Sequence, residues 1–329
     1  MVQGKFQLDA IISARHIYRW VKRNVLRRPW MADSFSNPWM QEPLLSDAAR
    51  CKQFFEAIRR VVSPGDLVVD IGAGTGLLSF FALKAGARHV YAIEMSKISE
   101  LAEVLIDLNG YKDQITVIRN DSRKVKLGQR CDVVVSETLS SFCFDTEDTV
   151  NIIADARKRF LKPAGKVIPQ SAKTFLLPVS SEAFGTGKFP ANFFGFDYTP
   201  FRERLFARPY LVRASGTVFH SLSDRVVCHE IDFGSQDSNP TKTIIPFRAR
   251  TSGRLDGFLG WFEAKLCEGV AISNSPYLPL SNWWQLYWPV IEQPHIEAED
   301  AFVLELDPNM TNGEANWIYS LKSLPRVRQ

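Results

Sequence analysis

The sequence predicts an α/β domain followed by an antiparallel β domain, and three observations predict it. From Leu67 to Phe160, apolar runs of strand length alternate with stretches of helical periodicity, the pattern of a parallel sheet covered by helices. A glycine turn, "DIGAGTG" at residues 70–76, joins the first of these strands to the first of these helices. From Ser171 onward the texture changes to short apolar stretches separated by Gly, Pro, Ser, Asn and Asp, with little helical periodicity, which reads as an antiparallel sandwich or barrel. A chain of 329 residues, 45% hydrophobic and 12% aromatic, has enough apolar surface for two such units.

The elements follow in order. Residues 12–30 pair Ile12, Ile17, Trp20, Val21 and Val25 on one helical face with Arg15, Arg19, Lys22, Arg23, Arg27 and Arg28 on the other. That is expected to be a solvated amphipathic helix packed on the body. Residues 44–62 are expected to be a second helix, with Ser46 as its N-cap. Strands are expected at Leu67–Ile71, Val90–Ile93, "ITVIRND" and Val133–Val135, and helices at Leu77–Ala85, Ile98–Asn109 and Asp148–Phe160. "LKPAGKVIPQ" closes the pattern at residue 170. Beyond it, "TVFHSL", "RVVCHEIDF", "TIIPFRART", "GFLGWFEAKL", "WWQLYWPV", "AFVLELD" and "NWIYSLK" read as strands. Residues 182–212 read as an exposed, aromatic-rich insertion. The expected units are an N-terminal helical segment over 1–43, an α/β unit over 44–170 and a β unit over 171–329.

Composition narrows the function classes. A net charge of +4 is small for this length and does not suggest nucleic-acid binding, which shows concentrated Lys and Arg. The five Cys are odd in number and include no CxxC pair, so neither a zinc site nor a disulfide framework is expected. No secretory leader and no run of about 18 apolar residues is present, so a soluble, cytoplasmic protein without membrane contact is expected.

The glycine turn has a direct physical use. Gly72, Gly74 and Gly76 let the backbone turn sharply and approach a ligand closely, and the helix that follows offers unpaired N–H groups to an anion. Glu94 ends the next strand, where a carboxylate can accept from two ribose hydroxyls. Asp121 and Ser122 follow the third strand, where a polar side chain meets adenine, and Asp70 is placed inside the loop, facing a cofactor's amino group. The spacing is GxGxG, not the GxGxxG of dinucleotide binders, and it favours S-adenosylmethionine.

Two carboxylates stand beyond the fourth strand. "SETLSSFCFDTED" places Glu137 at its mouth and Glu147 ten residues later. Carboxylates are costly to shield from water unless a cation meets them. A guanidinium is always charged and planar, and two carboxylates can hold its fork bidentately.

With these motifs in view, the chain resembles the protein arginine methyltransferases from about residue 30 onward. That family carries a loop of roughly S-E, eight residues, then E, leading into a helix and "LKPGG". Here Ser136-Glu137 and Glu147 stand in those places, one residue further apart, followed by "DARKRFLKPAG". The family's Thr-His-Trp loop is matched by Ser281, Asn282 and Trp283, with Gln285 just after it. Its N-terminal helix pair is matched by Asp47 and Arg50.

The resemblance implies a Rossmann-like S-adenosylmethionine-binding domain, then an antiparallel β-barrel domain with a helical dimerisation arm at 182–212. It implies methyl transfer to the guanidino group of arginine, in a protein or as free L-arginine. It assigns Glu137 and Glu147 to substrate and catalysis, Asp47 and Asn282 to their support, and Trp283 to a wall of the substrate slot. Arg50 goes to the cofactor's carboxylate, and a homodimer is implied. Asn282 replaces the family's His, and Asn cannot carry charge. Met31, Ala32 and Phe35 stand where Tyr and Phe are usual, and Ser140 and Ser141 where Met and Gly are usual. Methyl transfer to another small molecule, or a silent paralogue that binds cofactor and stabilises a partner, remain alternatives.

Overall fold

A computed structural model describes residues 35–185, 189–279 and 281–323. The basic helix expected within residues 12–30, together with Met31 and Ala32, lies outside the described residues.

The chain opens with two helices where one was expected. α1, Pro38–Ser46, starts with Asn37 as its cap: the Asn37 side chain accepts from the Trp39 N–H. α2, Ala48–Val61, is capped by Asp47, whose Oδ1 accepts from the Arg50 N–H at 3.0 Å. Ser46 is therefore the last residue of α1 and not a cap. A carboxylate at residue 47 satisfies the α2 N–H groups, which splits the expected helix and runs α1 across the expected boundary at residue 43.

The α/β unit then follows the predicted alternation. β1 is Leu67–Ile71, α3 Leu77–Lys84, β2 His89–Glu94, α4 Ile98–Leu108, β3 Ile115–Arg119, β4 Cys131–Ser136, α5 Thr149–Phe160 and β5 Leu161–Ile168. All five strands pair in parallel in the order β3-β2-β1-β4-β5. β1 and β4 are central and almost wholly buried, which is why both are mostly apolar, broken by Asp70 in β1 and by Asp132 and Ser136 in β4. The order reverses between β1 and β4, so their C-terminal ends form the crevice in which such sheets bind ligands.

β6, Ser171–Ser180, starts the second unit, which is antiparallel. It pairs with Gly257–Cys267, the longest strand, which pairs in turn with Gln285–Pro289 and Val270–Ser273. A second sheet joins Thr243–Arg248, Ala301–Asp307 and Ile318–Ser323. Neither β6 nor Val270–Ser273 was expected from the sequence, and "TVFHSL" contributes only His220–Ser221 as strand. The central strand shows the period-2 pattern of a sheet buried on both faces: Phe258, Phe262 and Leu266 join the main core, and Leu259 and Trp261 a smaller one behind. Within the insertion, Asn192–Phe193 and Phe196–Asp197 form a hairpin and Thr199–Phe206 a helix. Tyr210–Val212 leaves it and pairs with Gln285–Tyr287, so the projecting part ends before residue 210. No described helix is long and apolar enough to cross a membrane.

Candidate active site

The glycine turn forms as its residues require. Gly72, Gly74 and Gly76 have φ of 71°, 55° and 85°, a region costly for residues with a Cβ. A Cβ on Gly72 would come 2.9 Å from Thr138 Cγ2, and one on Gly74 3.1 Å from the Gln41 side chain of α1. Glu94 sits buried at the end of β2. Its Oε2 accepts from the Gly74 N–H at 3.0 Å and its Oε1 from the Ser96 N–H at 2.7 Å. The carboxylate is thus locked to the turn before any ligand arrives.

Asp70 is not in the loop. It belongs to β1 and is fully buried, because the side chain of a central strand residue points into a helix layer. Its Oδ2 accepts from the Ser79 hydroxyl at 2.7 Å, and its Oδ1 has no hydrogen-bond partner. Burial pushes its carboxyl up to about 7, Ser79 opposing and Glu94 and Glu137 adding to the shift. Asp121 caps the short 3₁₀ turn Ser122–Lys124, accepting from the Arg123 N–H. Its carboxylate also takes the Arg123 guanidinium, which holds it below the usual carboxylate range. Ser122 is buried, and its carbonyl accepts from Arg159 at 2.6 Å.

The two carboxylates beyond the fourth strand differ sharply. Glu137 has only 9% of its side chain exposed and forms an ion pair with Arg50. Desolvation raises its pKa, opposed by Arg50 and the Leu139 N–H. Arg50 is therefore engaged by Glu137 and by the Leu44 carbonyl, while its Nε is buried without a partner. Burial works against the Arg50 charge, and Glu137 outweighs it. Glu147 has no hydrogen-bond partner among the described residues. Burial pushes its carboxyl up to about 8, and Glu137, Asp145, Glu94 and Glu314 add to the shift.

The loop between them is staked by side chains. The Asp145 carboxylate, itself buried, accepts from the Ser140 hydroxyl at 2.5 Å and the Phe142 N–H at 2.7 Å, and the Ser140 oxygen accepts from the Asp145 N–H at 2.8 Å. Ser140, a departure from the family pattern, thus has a defined local partner. Phe142 and Phe144 are fully buried. Phe142 packs edge-on against Trp288 at 4.9 Å and Trp317 at 5.6 Å. Gly260 makes room for this: a Cβ there would lie 2.8 Å from the Phe142 ring and closer still to Trp288.

Residues 281–283 approach the same loop. Trp283 is half-buried; its indole N–H donates to the Leu139 carbonyl at 2.8 Å and its ring lies 5.7 Å from the Arg50 guanidinium carbon. Asn282 meets Asp47 through its backbone N–H at 3.3 Å, and its side-chain amide donates to the Pro43 carbonyl. Its side chain is therefore spent on α1, not on the carboxylate. Sequence reasoning missed Asn274. Buried, its amide donates to the Ser141 and Trp284 carbonyls, each at 2.8 Å, stitching the two loops together. Nothing in the local pattern "ISNSP" marks it, since its partners come from distant segments.

Comparison with known proteins gives this arrangement a family. The model of the ribosomal protein L11 methyltransferase (PrmA) family matches residues 50–169. Protein arginine N-methyltransferase 1 of Saccharomyces cerevisiae is 26% identical over 292 residues, 85% of this chain and 84% of that protein. A probable histone-arginine methyltransferase CARM1 of Oryza sativa is 32% identical over 276 residues, 77% of this chain and 51% of its own length. The chain belongs to the protein arginine methyltransferase family, whose methyl donor is S-adenosylmethionine. It spans about half the length of the rice relative and of a Drosophila yakuba histone-arginine methyltransferase. The fold agrees. The Trypanosoma brucei PRMT1 enzyme–prozyme heterotetrameric complex with AdoHcy superposes with a TM-score of 0.78 at 21% identity, covering 89% of this chain and all of that one. Arabidopsis thaliana protein arginine methyltransferase 10 gives 0.72 at 21% identity, with 89% and 99% covered.

Proposed function

We propose that this arginine methyltransferase family member methylates a guanidino nitrogen of arginine within proteins. The observation that carries this reading is Glu147. It is a half-buried carboxylate without a hydrogen-bond partner among the described residues, its pKa raised by burial first and by four other acids as well, and a site built at that electrostatic cost suits a cationic substrate.

S-adenosylmethionine supplies a methyl group made electrophilic by its sulfonium. The residues present suit that donor: the glycines hold a tight turn at positive φ at the C-terminal end of β1, and Glu94 is fixed against its Gly74 N–H. Gly72, Gly74, Gly76 and Glu94 would hold the nucleoside side. Asp121 and Ser122 would flank it, Arg50 would meet the donor's carboxylate with the guanidinium that also holds Glu137, and Asp70 stands behind as a buried support. Glu137, fixed by Arg50 and the Leu139 N–H, accepts from one edge of the guanidinium. Glu147 accepts from the other as the arriving cation drives off its proton. Together they hold the planar fork so that one nitrogen points toward the methyl group. Once methylated, that nitrogen is more acidic, and Glu147 takes its proton. Trp283 walls the slot, and Asp47 and Asn282 keep α1 and α2 against it.

Two finer points follow from the same surfaces. The arm exposes Phe193, Phe194, Phe196, Tyr198 and Phe201, and α4 exposes Leu101, Val104 and Leu108 along one face. Two apolar patches of this kind fit one another in a head-to-tail homodimer. All five cysteines are free thiols, which suits a reducing, cytoplasmic setting.

The test is incubation of the purified chain with methyl-labelled S-adenosylmethionine and, separately, arginine-rich peptide, free L-arginine or buffer. Label in the peptide supports the proposal. Label only in free L-arginine moves the substrate to a small molecule. Cofactor binding without any label identifies a silent paralogue.

A further inference from the structure

Glu147 has no side-chain partner of its own among the described residues, so its placement is set by its neighbours. Asp148 has an unusual environment. It lies in the left-handed region, φ 52°, which a residue with a Cβ adopts only when its surroundings insist. It occupies the cap position of α5 but makes no side-chain cap hydrogen bond. Its carboxylate is spent elsewhere. Oδ1 accepts from Asn151 Nδ2 at 2.8 Å and from Asn239 Nδ2 at 3.0 Å. Oδ2 accepts from Arg123 Nη1 at 3.3 Å. Gly313, in the hairpin Met310–Ala315, lies so close that a Cβ on it would come 2.8 Å from Asp148 Cβ. The same hairpin donates its Ala315 N–H to the Asp145 carbonyl at 2.8 Å. Arg123 in turn forks onto Asp121 through Nε at 3.0 Å and Nη2 at 3.1 Å.

Four separate segments thus converge on the residue next to Glu147: α5, the loop holding Asn239, the turn after β3 and the hairpin. Resting on the reading of Glu147 as an acceptor carboxylate, we propose that Asp148 is its positioning residue, and that the chain Asp121–Arg123–Asp148 couples the donor side of the sheet to it. Arg123 is the only described side chain hydrogen-bonded to both Asp121 and Asp148. A ligand that shifts Asp121 therefore bears on Asp148 through one guanidinium. Isolated exposed ion pairs contribute little, but Asp148 is 14% exposed and the Arg123–Asp121 contact is bidentate, the geometry in which such pairs hold a position.

Three variants separate the parts. Asp148→Gly keeps the left-handed backbone and removes the carboxylate. Asp148→Asn keeps an oxygen for Asn151 and Asn239 and tolerates the backbone, but loses the charge facing Arg123. Arg123→Met removes the guanidinium that joins Asp121 to Asp148, leaves Asp148 its bonds to Asn151 and Asn239, and changes a half-exposed side chain. Calorimetric affinities are measured for an arginine-rich peptide and for free L-arginine, with and without saturating S-adenosylhomocysteine, beside steady-state kinetics. Asp148→Gly is expected to weaken peptide binding and raise acceptor KM by about tenfold, since small misplacements of a binding group are costly, while its affinity for S-adenosylhomocysteine stays within about twofold of the wild type. Asp148→Asn should restore most of that loss. Arg123→Met should shrink the factor by which S-adenosylhomocysteine tightens peptide binding, by several-fold on the usual scale of coupling. Should Asp148→Gly fail to fold, Arg123→Met decides alone. Wild-type acceptor affinity in Asp148→Gly, or unchanged coupling in Arg123→Met, overturns the inference and leaves the proposed function standing. A wild-type chain that binds neither arginine ligand overturns the reading of the site itself.

Discussion

The glycine turn and the carboxylate loop lie at the same C-terminal edge of one sheet, yet they are held by opposite means. The turn is backbone work: glycines at positive φ, and Glu94 caught between two N–H groups of its immediate surroundings. All of it lies between β1 and the start of α4. The loop places non-glycine residues, Cys143 at φ 72° and Asp148 at φ 52°, in the same left-handed region. It holds them with side chains drawn from along the whole chain: Arg50, Asn239, Asn274 and Trp283. The proposed donor side is therefore a local device and the proposed acceptor side a tertiary one. Damage to the acceptor side should leave donor binding intact, and the reverse should not hold.

The largest effect should come from Glu137→Gln. Removing a charge aimed at the reacting group costs about 10²–10³ in turnover, and S-adenosylhomocysteine affinity should stay near the wild-type value by calorimetry. Loss of both together would dissolve the distinction between the two regions.

Gly260→Ala should come next, although residue 260 touches neither ligand. The added methyl has no room beside Trp288 and Phe142, and overpacking of this kind costs about 1–3 kcal/mol. Denaturant unfolding should register that loss, and transfer activity should fall further than cofactor affinity. On the donor side, Gly74→Ala forces a Cβ residue into a positive φ at a cost of about 1–2 kcal/mol, and should weaken S-adenosylhomocysteine binding roughly tenfold. A smaller effect is expected from Ser140→Ala, which strips one donor from the buried Asp145 carboxylate. The carboxylate keeps the Phe142 N–H, so the loss is that of one hydrogen bond, about 0.5–1.5 kcal/mol, read as a lower melting temperature and a raised acceptor KM with unaltered cofactor affinity.

The smallest effect is in pH. Glu147 moves from 4.5 to about 8 and Asp70 from 3.8 to about 7 on folding. The folded state then binds more protons than the unfolded one between those values, so stability is fullest at low pH and falls as pH rises toward 8. The melting temperature should drop by a few degrees between pH 6 and pH 9, and Glu147→Gln should flatten that slope. An unchanged slope would mean that Glu147 is not held in the acidic field described.

Much of the α/β unit was legible because its signals are short-range. Alternating apolar runs, the glycine spacing and the acids at strand ends all sit within a few residues of the structure they report. The misreadings share a cause. Ser46 was a sound cap by type, but Asp47 was better placed to accept from the Arg50 N–H. Asp70 looked like loop because the glycines follow it directly, whereas the strand continues to Ile71.

Sequence alone determined the order of the elements, the glycine turn and the presence of two acids beyond the fourth strand, because hydrophobic period and turn chemistry act between near neighbours. Only the tertiary structure decided that Arg50 pairs with Glu137 while Glu147 is left to its neighbours. It alone showed that Asn282 meets Asp47 through its backbone, and that Asn274, Gly260 and Asp148 shape the acceptor loop. Those are contacts between residues tens to hundreds of positions apart. Their energies depend on desolvation and packing, which exist only once distant segments of the chain have come together.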